Sequence, residues 1–350
     1  MGYSGDSRMK GMILKEFGQP LVLEEVPDPK LGPGEVLVES KANGLCATDL
    51  KVVEGLIKTT SPPLMLGHEN AGIVLETGPD VDSVQPGDRV VVVSKKTCGR
   101  CRMCRNGHEE MCLNSPGRMG MEMDGGFGQL VAAPERNLVK VGPNVSLSGA
   151  SLIGGTLGSP LHSIRMARVG LGETAVIFGL GGLGLHALQL LCYLGAKVIG
   201  VDVQPEKLEK AREYGATATI NAAEVDPVQA VLDMTDGVGA EIALEIVGGA
   251  AVPPVLQQCL ELLAPGGRLV ILGYHYGQTF PIDPAYLVYK WVQIIASHNH
   301  TVQDVRDAAS LVESGKVIPI ISELAPMTEA NEAMDRLRKG DPIGRIVLEW

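Results

Sequence analysis

A glycine-rich hexapeptide at Gly179–Gly184, with the sequence G-L-G-G-L-G, constrains the fold of this chain more than any other feature. It follows a short apolar run at Thr174–Phe178 and opens a segment of helical composition at Gly182–Leu194. A second apolar run, Lys197–Val201, comes next and leads into Asp202. Strand, glycine turn, helix and strand in this order predict a βαβ unit, and therefore an α/β fold with a doubly wound parallel sheet.

The same hexapeptide is suited to bind a dinucleotide. In the G-x-G-x-x-G pattern, Gly179 allows a tight turn, Gly181 lets the backbone approach a pyrophosphate, and Gly184 lets the helix pack closely on the strand. The first residues of the helix, Gly182 and Leu183, offer free N–H groups and a partial positive charge to the phosphates. The sequence therefore predicts a pyrophosphate site at this turn.

Asp202 is expected to select the cofactor. It ends the second strand, 18 residues after Gly184. A carboxylate there can accept hydrogen bonds from the adenosine ribose and would repel the 2′-phosphate of NADP, which favours NAD. The competing interpretation is a glycine-rich turn that binds nothing, with Asp202 as a surface acid. The order of strand, turn, helix, strand and acid disfavours that interpretation.

Four of the seven cysteines are spaced as metal ligands. Cys98, Cys101, Cys104 and Cys112 fall in a lobe over residues 95–115, and such uneven clustering does not suit a disulfide framework. Four thiolates close in sequence can complete a tetrahedral zinc site of the structural kind. A zinc module that binds nucleic acid is the rival interpretation, but a net charge of −11 argues against it.

A second candidate metal centre lies nearer the amino terminus. Cys46 follows a strand-like segment, and His68 and Glu69 come after Pro62-Pro63. Thiolate and imidazole suit zinc, and two or three protein ligands leave room for a substrate oxygen. Taken alone, Cys46 or His68 is more often an ordinary core or surface residue than a ligand.

Jointly, these motifs resemble those of the zinc-containing medium-chain alcohol dehydrogenase family. The segment Gly67–Gly72 (G-H-E-N-A-G), followed by Gly78 and Val81, looks like the family's signature. The run Cys46–Asp49 is similar to its first metal-ligand motif. The four-cysteine lobe and the glycine turn are similar to its structural zinc loop and cofactor half, and the motifs occur in the family's order.

The resemblance implies a GroES-like, β-rich catalytic domain over residues 1–153 and 298–350, and a Rossmann NAD-binding domain over residues 154–297. It also implies an oxidoreductase that interconverts an alcohol and its aldehyde or ketone by hydride transfer to or from NAD, with zinc polarising the substrate oxygen. Members of the family are dimers or tetramers, so a homodimer or homotetramer is expected.

The resemblance further implies roles for individual residues. Cys46 and His68 become zinc ligands, and Glu69 becomes a neighbouring carboxylate that can enter the coordination sphere. Thr48 would bond the substrate oxygen and relay its proton, and Asp49 would orient His68.

Three other residues complete the implied site. Lys51 would occupy the position in the proton relay between the cofactor ribose and water. Lys207 would lie near the adenosine ribose, and Arg345 would reach the pyrophosphate.

One position departs from the family pattern. The third zinc ligand, usually Cys, Asp or Glu, falls on Gly155, and neither it nor the neighbouring Gly154 can bind metal through a side chain. Three interpretations follow. Zinc is held by Cys46, His68 and Glu69, or it is held weakly, or the site is zinc-free and reduces activated double bonds. The presence of all three donors favours the first interpretation.

Direct ligation by Glu69 makes a demand on the backbone. Adjacent side chains of a regular strand point to opposite faces, so His68 and Glu69 can reach one ion only if the chain turns there. Gly67, directly before them, makes such a turn plausible. A non-catalytic NAD-binding sensor with the same fold is an alternative of another class, which Thr48 and the Cys46/His68 pair disfavour.

Composition bounds the partners. The 41 acidic against 30 basic residues speak against binding to phosphate backbones and anionic membranes. The resemblance implies a small-molecule alcohol or carbonyl substrate. No apolar stretch approaches a membrane span, and the amino terminus lacks a run suited to a secretory signal, so a cytoplasmic location is expected. Residues Met1–Arg8 are predicted to be a short disordered leader.

Overall fold

The computed structural model of the protein describes residues 7–350. Most of the predicted leader, residues 1–6, lies outside the described part of the chain. For the last two leader residues the prediction is wrong, because Arg8 opens the first strand and the Ser7 hydroxyl donates a hydrogen bond to the Asp28 carboxylate. Strand pairing and this side-chain bond give the segment fixed partners.

Strands and helices are numbered in chain order. Within residues 7–350 the strands are β1 (Arg8–Leu14), β2 (Val22–Pro27), β3 (Glu35–Gly44), β4 (Leu64–Met65), β5 (Glu69–Thr77), β6 (Arg89–Val93), β7 (Lys95–Lys96), β8 (Gly117–Arg118), β9 (Leu130–Pro134), β10 (Leu138–Lys140), β11 (Thr174–Phe178), β12 (Lys197–Asp202), β13 (Ala218–Asn221), β14 (Ala240–Glu245), β15 (Leu263–Ile271), β16 (Gln293–Ala296), β17 (Ile321–Pro326) and β18 (Arg345–Glu349).

Within the same residues the α-helices are α1 (Ala47–Val53), α2 (Arg102–Arg105), α3 (Leu147–Leu152), α4 (Gly158–Ala167), α5 (Gly182–Tyr193), α6 (Pro205–Glu213), α7 (Pro227–Met234), α8 (Val252–Glu261), α9 (Pro284–Lys290), α10 (Val302–Glu313) and α11 (Ala330–Lys339). A π-helical turn over Ile153–Leu157 joins α3 to α4. No helix among the described residues is long and apolar enough to cross a bilayer.

The chain divides into two compact units. Among the described residues, the first comprises those up to 158 together with 300–315 and 319–350, and the second comprises residues 159–299 and 316–318. The π-helical turn, with Gly155, therefore belongs to the first unit.

The first unit is built around β3. This strand pairs antiparallel with β5 along most of its length, with β9 at its first half and with β18 at its last residues. The wider sheet has the order β10-β6-β5-β3-β18-β17. Val36 and Val38 pack in one apolar cluster and Leu37 in another, as the period-two alternation of a strand requires when both faces are covered. β3 and β5 thus form the rigid centre from which the candidate site projects.

The second unit confirms the predicted parallel sheet. Its strands have the order β13-β12-β11-β14-β15-β16, and every pairing is parallel. Counted from β11, this is the order 3-2-1-4-5-6 of dinucleotide-binding sheets. β11 covers the first predicted apolar run, and β12 covers the second run and has Asp202 as its last residue. The apolar runs form buried parallel strands because helices cover both faces of such a sheet.

The close approach of β3 and β5 depends on Gly72. A Cβ atom there would lie 2.0 Å from the carbonyl oxygen of Glu39 on β3. We expect Gly72→Ala to lower the free energy of unfolding by about 1–3 kcal/mol, because the backbones must separate. Gly181→Ala is the control, since a Cβ there meets no atom within 4 Å. Denaturant unfolding of both variants measures the difference, and equal stabilities would contradict the argument.

Candidate active site

Asp49 links the two ends of the candidate active site. Cys46 is the residue before α1, and its backbone N–H donates to one Asp49 carboxylate oxygen at 2.9 Å. The other carboxylate oxygen lies 3.1 Å from Nδ1 of His68. Asp49 is fully buried. Asp49 was predicted to orient His68, and this role requires such a contact. Nε2 of His68 is then the ring atom available to a metal.

The backbone turns just before His68, as the sequence suggested. Gly67 has φ +98°, and β5 begins only at Glu69. His68 therefore stands outside the strand while Glu69 is its first residue, so their side chains need not alternate. Ligand atoms of Cys46, His68 and Glu69 all lie within 4.8 Å of one another, and all three residues are buried. Thiolate, imidazole and carboxylate at such spacing fit three zinc ligands with one position open.

The Glu69 carboxylate has two further partners. The hydroxyl of Thr156 lies 2.8 Å from Oε2, and Nη2 of Arg345 donates to Oε1 at 3.2 Å. Arg345 also donates through Nε to the Thr156 hydroxyl at 2.7 Å and lies 3.6 Å from Sγ of Cys46. Thr156 was missed in the sequence, and the only signal for it was its place beside Gly155.

These contacts define the surroundings of Arg345, which the sequence alone could not. It is 5% exposed and its guanidinium lies among Cys46, Glu69 and Thr156 of the first unit. These contacts make it a counter-ion of the candidate metal ligands. Its predicted contact with a cofactor pyrophosphate stays a prediction.

Two glycines leave room for the Glu69 side chain. A Cβ at Gly155 would lie 2.6 Å from Oε1 of Glu69, and a Cβ at Gly44 would lie 2.3 Å from Oε2. Real Cβ atoms do not approach so closely, so any side chain at either position must displace the carboxylate. Glu69 therefore occupies the space that a ligand side chain at residue 155 would need.

The buried charges shift one another's ionisation. Burial opposes ionisation of the Cys46 thiol, but the nearby Arg345 and a hydrogen bond with His68 outweigh it, so the pKa of Cys46 is lowered. Burial also disfavours the imidazolium of His68, but Asp49 and Cys46 raise the pKa of His68 well above its ordinary value. The two shifts favour the charged forms of the two groups, and a metal bound through Nε2 of His68 would need that nitrogen to be deprotonated.

The two other predicted catalytic residues lie on α1. Thr48, half-buried, has its hydroxyl 3.6 Å from Sγ of Cys46. Lys51 lies about one turn further along the same helix, also half-buried. The structure brings Thr48 to the donor set, and the relay through Lys51 stays a prediction.

The four cysteines of the lobe converge as predicted. One ligand atom from each of Cys98, Cys101, Cys104 and Cys112 lies within 4.8 Å of the others. Backbone N–H groups approach the sulfurs, with Cys98 N–H donating to Cys112 and Cys101 N–H to Cys98, each at 3.3 Å. Backbone N–H groups, first that of Cys104, lower the pKa of Cys101 to about 6. Amide donors that stabilise thiolates suit a closed tetrahedral zinc site.

The glycine turn adopts the geometry that dinucleotide binding needs. Gly179 has φ +94°, and a Cβ at Gly184 would lie 1.9 Å from the Gly179 carbonyl oxygen. Asp202 accepts a hydrogen bond from the Leu180 N–H at 2.8 Å, which ties the end of β12 to the turn. Lys207 is half-buried within α6, the next helix. Gly181, Gly182 and Leu183 open α5, so that its free N–H groups face the turn.

Family models match both parts of the chain. Residues 32–143 match the alcohol dehydrogenase GroES-like domain, and residues 182–314 match the zinc-binding dehydrogenase domain. The first match covers β3, β5 and the four-cysteine lobe, and the second covers most of the parallel sheet.

The chain is similar to whole dehydrogenases and reductases. It is 35% identical to an alcohol dehydrogenase of Geobacillus stearothermophilus, over 97% of this chain and 99% of that protein. It is 29% identical to the acryloyl-coenzyme A reductase of Metallosphaera sedula, again over 97% and 99%. The crystal structure of the alcohol dehydrogenase from Aeropyrum pernix matches with a TM-score of 0.90 and 30% identity, over 97% of this chain and 100% of that one.

Fold, motifs and comparisons agree. A GroES-like unit carries the buried donors and the four-cysteine lobe, and a parallel sheet carries the glycine turn. The chain is therefore an oxidoreductase that belongs to the zinc-containing medium-chain dehydrogenase/reductase family.

Proposed function

We propose that the protein interconverts an alcohol and the corresponding aldehyde or ketone, with NAD as the hydride carrier and zinc held by Cys46, His68 and Glu69. The observation that carries the proposal is the convergence of these three buried donors within 4.8 Å. The donor types are those of catalytic zinc sites, in which three protein ligands leave one position for substrate. The similarity to alcohol dehydrogenases supports the same reaction.

Several residues around the proposed zinc have separate roles in this reaction. Zinc bound there would act as a Lewis acid on the substrate oxygen. Asp49 holds the His68 ring so that Nε2 faces the site. Arg345 and Thr156 hold the Glu69 carboxylate in place. In this proposal, Thr48 bonds the alcohol oxygen, accepts its proton and passes a proton on toward Lys51, which lies further along α1.

NAD binding is supported by the carboxyl edge of the parallel sheet. Asp202 ends β12, and the glycine turn follows β11, which pairs with β12. An adenosine ribose at Asp202 would place the pyrophosphate at the N–H groups of Gly181, Gly182 and Leu183. Asp202 also holds the Leu180 N–H, so it both shapes the turn and repels a 2′-phosphate.

A second candidate is the reduction of an activated carbon–carbon double bond by NADH without zinc at this site. Two observations favour it. Cys46 and Glu69 already have a cationic partner in Arg345, and the usual third ligand position is Gly155. The similarity to an acryloyl-coenzyme A reductase points the same way. Zinc content separates the two candidates, since the first requires two zinc ions per chain and the second requires one.

Glu69→Gln tests the proposed reaction. We expect the variant to lose one of two zinc ions and nearly all alcohol oxidation, because an amide oxygen is a much weaker zinc ligand than a carboxylate. Glu323→Gln is the control, since Glu323 also pairs with an arginine, Arg336, but far along the chain. Metal analysis and turnover of an alcohol panel with NAD measure both effects. An active unmodified enzyme with one zinc per chain, which reduces an acryloyl thioester with NADH, would establish the second candidate instead.

Asp202→Gly tests the choice of cofactor. The unmodified enzyme should prefer NAD over NADP by at least about tenfold in kcat/KM, and the variant should narrow or reverse the preference. The ratio is the readout because loss of the bond to Leu180 weakens binding of both cofactors. Asp226→Gly, which removes the acid that caps α7 in the same unit, should leave the ratio unchanged. Equal use of both cofactors by the unmodified enzyme would exclude this role of Asp202.

Cys101→Ser tests the structural zinc. Removing one thiolate opens a closed site, so the variant should lose the lobe metal and unfold locally, since metal binding and folding are coupled there. Cys192→Ser, at a half-buried cysteine outside both clusters, should change neither. Metal content and thermal unfolding provide the measurements. A Cys101→Ser variant with the full metal content would rule out the four-cysteine assignment.

A further inference from the structure

A buried polar cluster of Ser40, Asn43 and Asn70 lies beside the candidate active site and has no role in the chemistry described above. Ser40 and Asn43 belong to β3, and Asn70 belongs to β5, directly opposite Asn43 in the register. The Asn70 amide donates to the Ser40 hydroxyl at 2.7 Å, and the Asn43 amide donates to the same oxygen at 3.0 Å. All three are at most 2% exposed. Buried polar groups are expensive unless paired, so their presence here calls for a reason.

The cluster holds one backbone carbonyl. The Ser40 hydroxyl donates to the Gly126 carbonyl oxygen at 2.7 Å, and Nδ2 of Asn43 donates to the same oxygen at 2.8 Å. A Cβ at Gly126 would lie 2.2 Å from Oδ1 of Asn43, so the backbone of residue 126 is in direct contact with the cluster. Two donors on one carbonyl fix both the position and the direction of that peptide group.

The segment Gly125–Phe127, which contains this carbonyl, pairs with the residues that form the turn at Gly67. Backbone N–H groups of Gly125, Gly126 and Phe127 donate to the carbonyls of Met65, Gly67 and Leu66 respectively, each at 2.8–2.9 Å. A Cβ at Gly67 would lie 2.5 Å from the Phe127 ring and 3.0 Å from Oδ1 of Asn43. The space that a Cβ at Gly67 would need is therefore closed by this segment together with Asn43.

We propose that Asn43 is a positioning residue of the candidate metal centre: with Ser40, it holds Gly125–Phe127 against Met65–Gly67, and it thereby sets the turn from which His68 and Glu69 converge on one point. The inference rests on the proposed zinc site at Cys46, His68 and Glu69. It explains why polar side chains are buried between β3 and β5. Apolar residues of similar size could fill the space, but they could not bond the Gly126 carbonyl.

The test compares Asn43→Asp with the unmodified chain. The substitution keeps the shape of the side chain but replaces the amide donor by an oxygen, which opposes the Gly126 carbonyl. We expect the affinity of the three-donor site for Co²⁺ to fall by about tenfold or more, as for other residues that orient metal ligands. The visible absorption of Co²⁺ bound to the Cys46 thiolate reports on this site. Co²⁺ in the four-cysteine lobe also absorbs, and the spectrum of Cys46→Ser measures that background so that it can be subtracted. The value of kcat should fall more than KM changes.

Hydrogen exchange gives a readout that needs no metal. In Asn43→Asp the amides of Gly125–Phe127 should exchange faster, because the Gly126 carbonyl loses one of its two hydrogen-bond donors. Asn331→Asp is the matched control, since Nδ2 of Asn331 donates to the Leu21 carbonyl at 2.9 Å, away from this turn. It should leave Co²⁺ affinity, absorption and these exchange rates unchanged. If Asn43→Asp does not fold, Ser40→Ala, which removes one of the two donors to Gly126, takes its place.

The outcomes separate the inference from the proposed function. If the unmodified protein binds no Co²⁺ through Cys46, the proposed function fails and the role of Asn43 toward a metal centre fails with it. Faster exchange of Gly125–Phe127 in Asn43→Asp would then show only that Asn43 holds this segment. If the unmodified protein binds Co²⁺, and the variant shows the same affinity, absorption and exchange rates, the inference is overturned while the proposed function stands. A variant that only melts at a lower temperature, with Co²⁺ binding unchanged, overturns it as well.

Discussion

The ion pair between Arg345 and Glu69 is the interaction on which the candidate site depends. Both side chains are at most 5% exposed, and the guanidinium also contacts Cys46 and Thr156. A single charge left alone in such a place would be strongly destabilising, about 3–5 kcal/mol when one partner of a buried pair is removed. The strands β3, β5 and β18 must therefore meet in one register, because Cys46, Glu69 and Arg345 follow or begin those strands.

The same arginine also acts on the charge of the candidate metal donors. The Cys46 sulfur and the Glu69 carboxylate both contact the Arg345 guanidinium, which offsets the repulsion between two negative groups placed close together. Arg345 lowers the pKa of the Cys46 thiol, which favours the thiolate form that metal ligation would require. One buried arginine thus serves as the cationic partner of two of the three candidate metal donors.

Features carried by neighbouring residues could be predicted from the sequence. The glycine turn, Asp202 and the four cysteines lie within short stretches, and backbone geometry alone brings such residues together. The parallel sheet followed from apolar runs that alternate with helical segments. Thr156 and Asn43 could not be found in this way. Thr156 meets Glu69 across 87 residues, and Arg345 meets Glu69 across 276, and no local pattern encodes which distant side chains share a pocket.

The fate of the leader and of Arg345 shows the same limit. Ser7 and Arg8 show no alternation of apolar residues that would predict a strand. Their partners, Asp28 and the strand β2, lie elsewhere in the chain and are not evident from the local sequence. Arg345 is the first residue of the strand β18, but the direction of its side chain depends on the strand beside it. Secondary structure followed from pattern, whereas the contacts of polar residues followed from tertiary pairing.

The π-helical turn at Ile153–Leu157 determines which side chain reaches Glu69. A π turn accommodates one more residue than an α turn, and such turns recur where a helix meets a functional site. Because successive residues of an α-helix are rotated by about 100°, the deletion of one residue from this turn would swing Thr156 away and bring a neighbour to the same place. The hydrogen-bond partner of Glu69 thus depends on helical pitch as well as on residue type. A change in chain length, with no change of amino acid at Glu69, is enough to give the carboxylate a different neighbour.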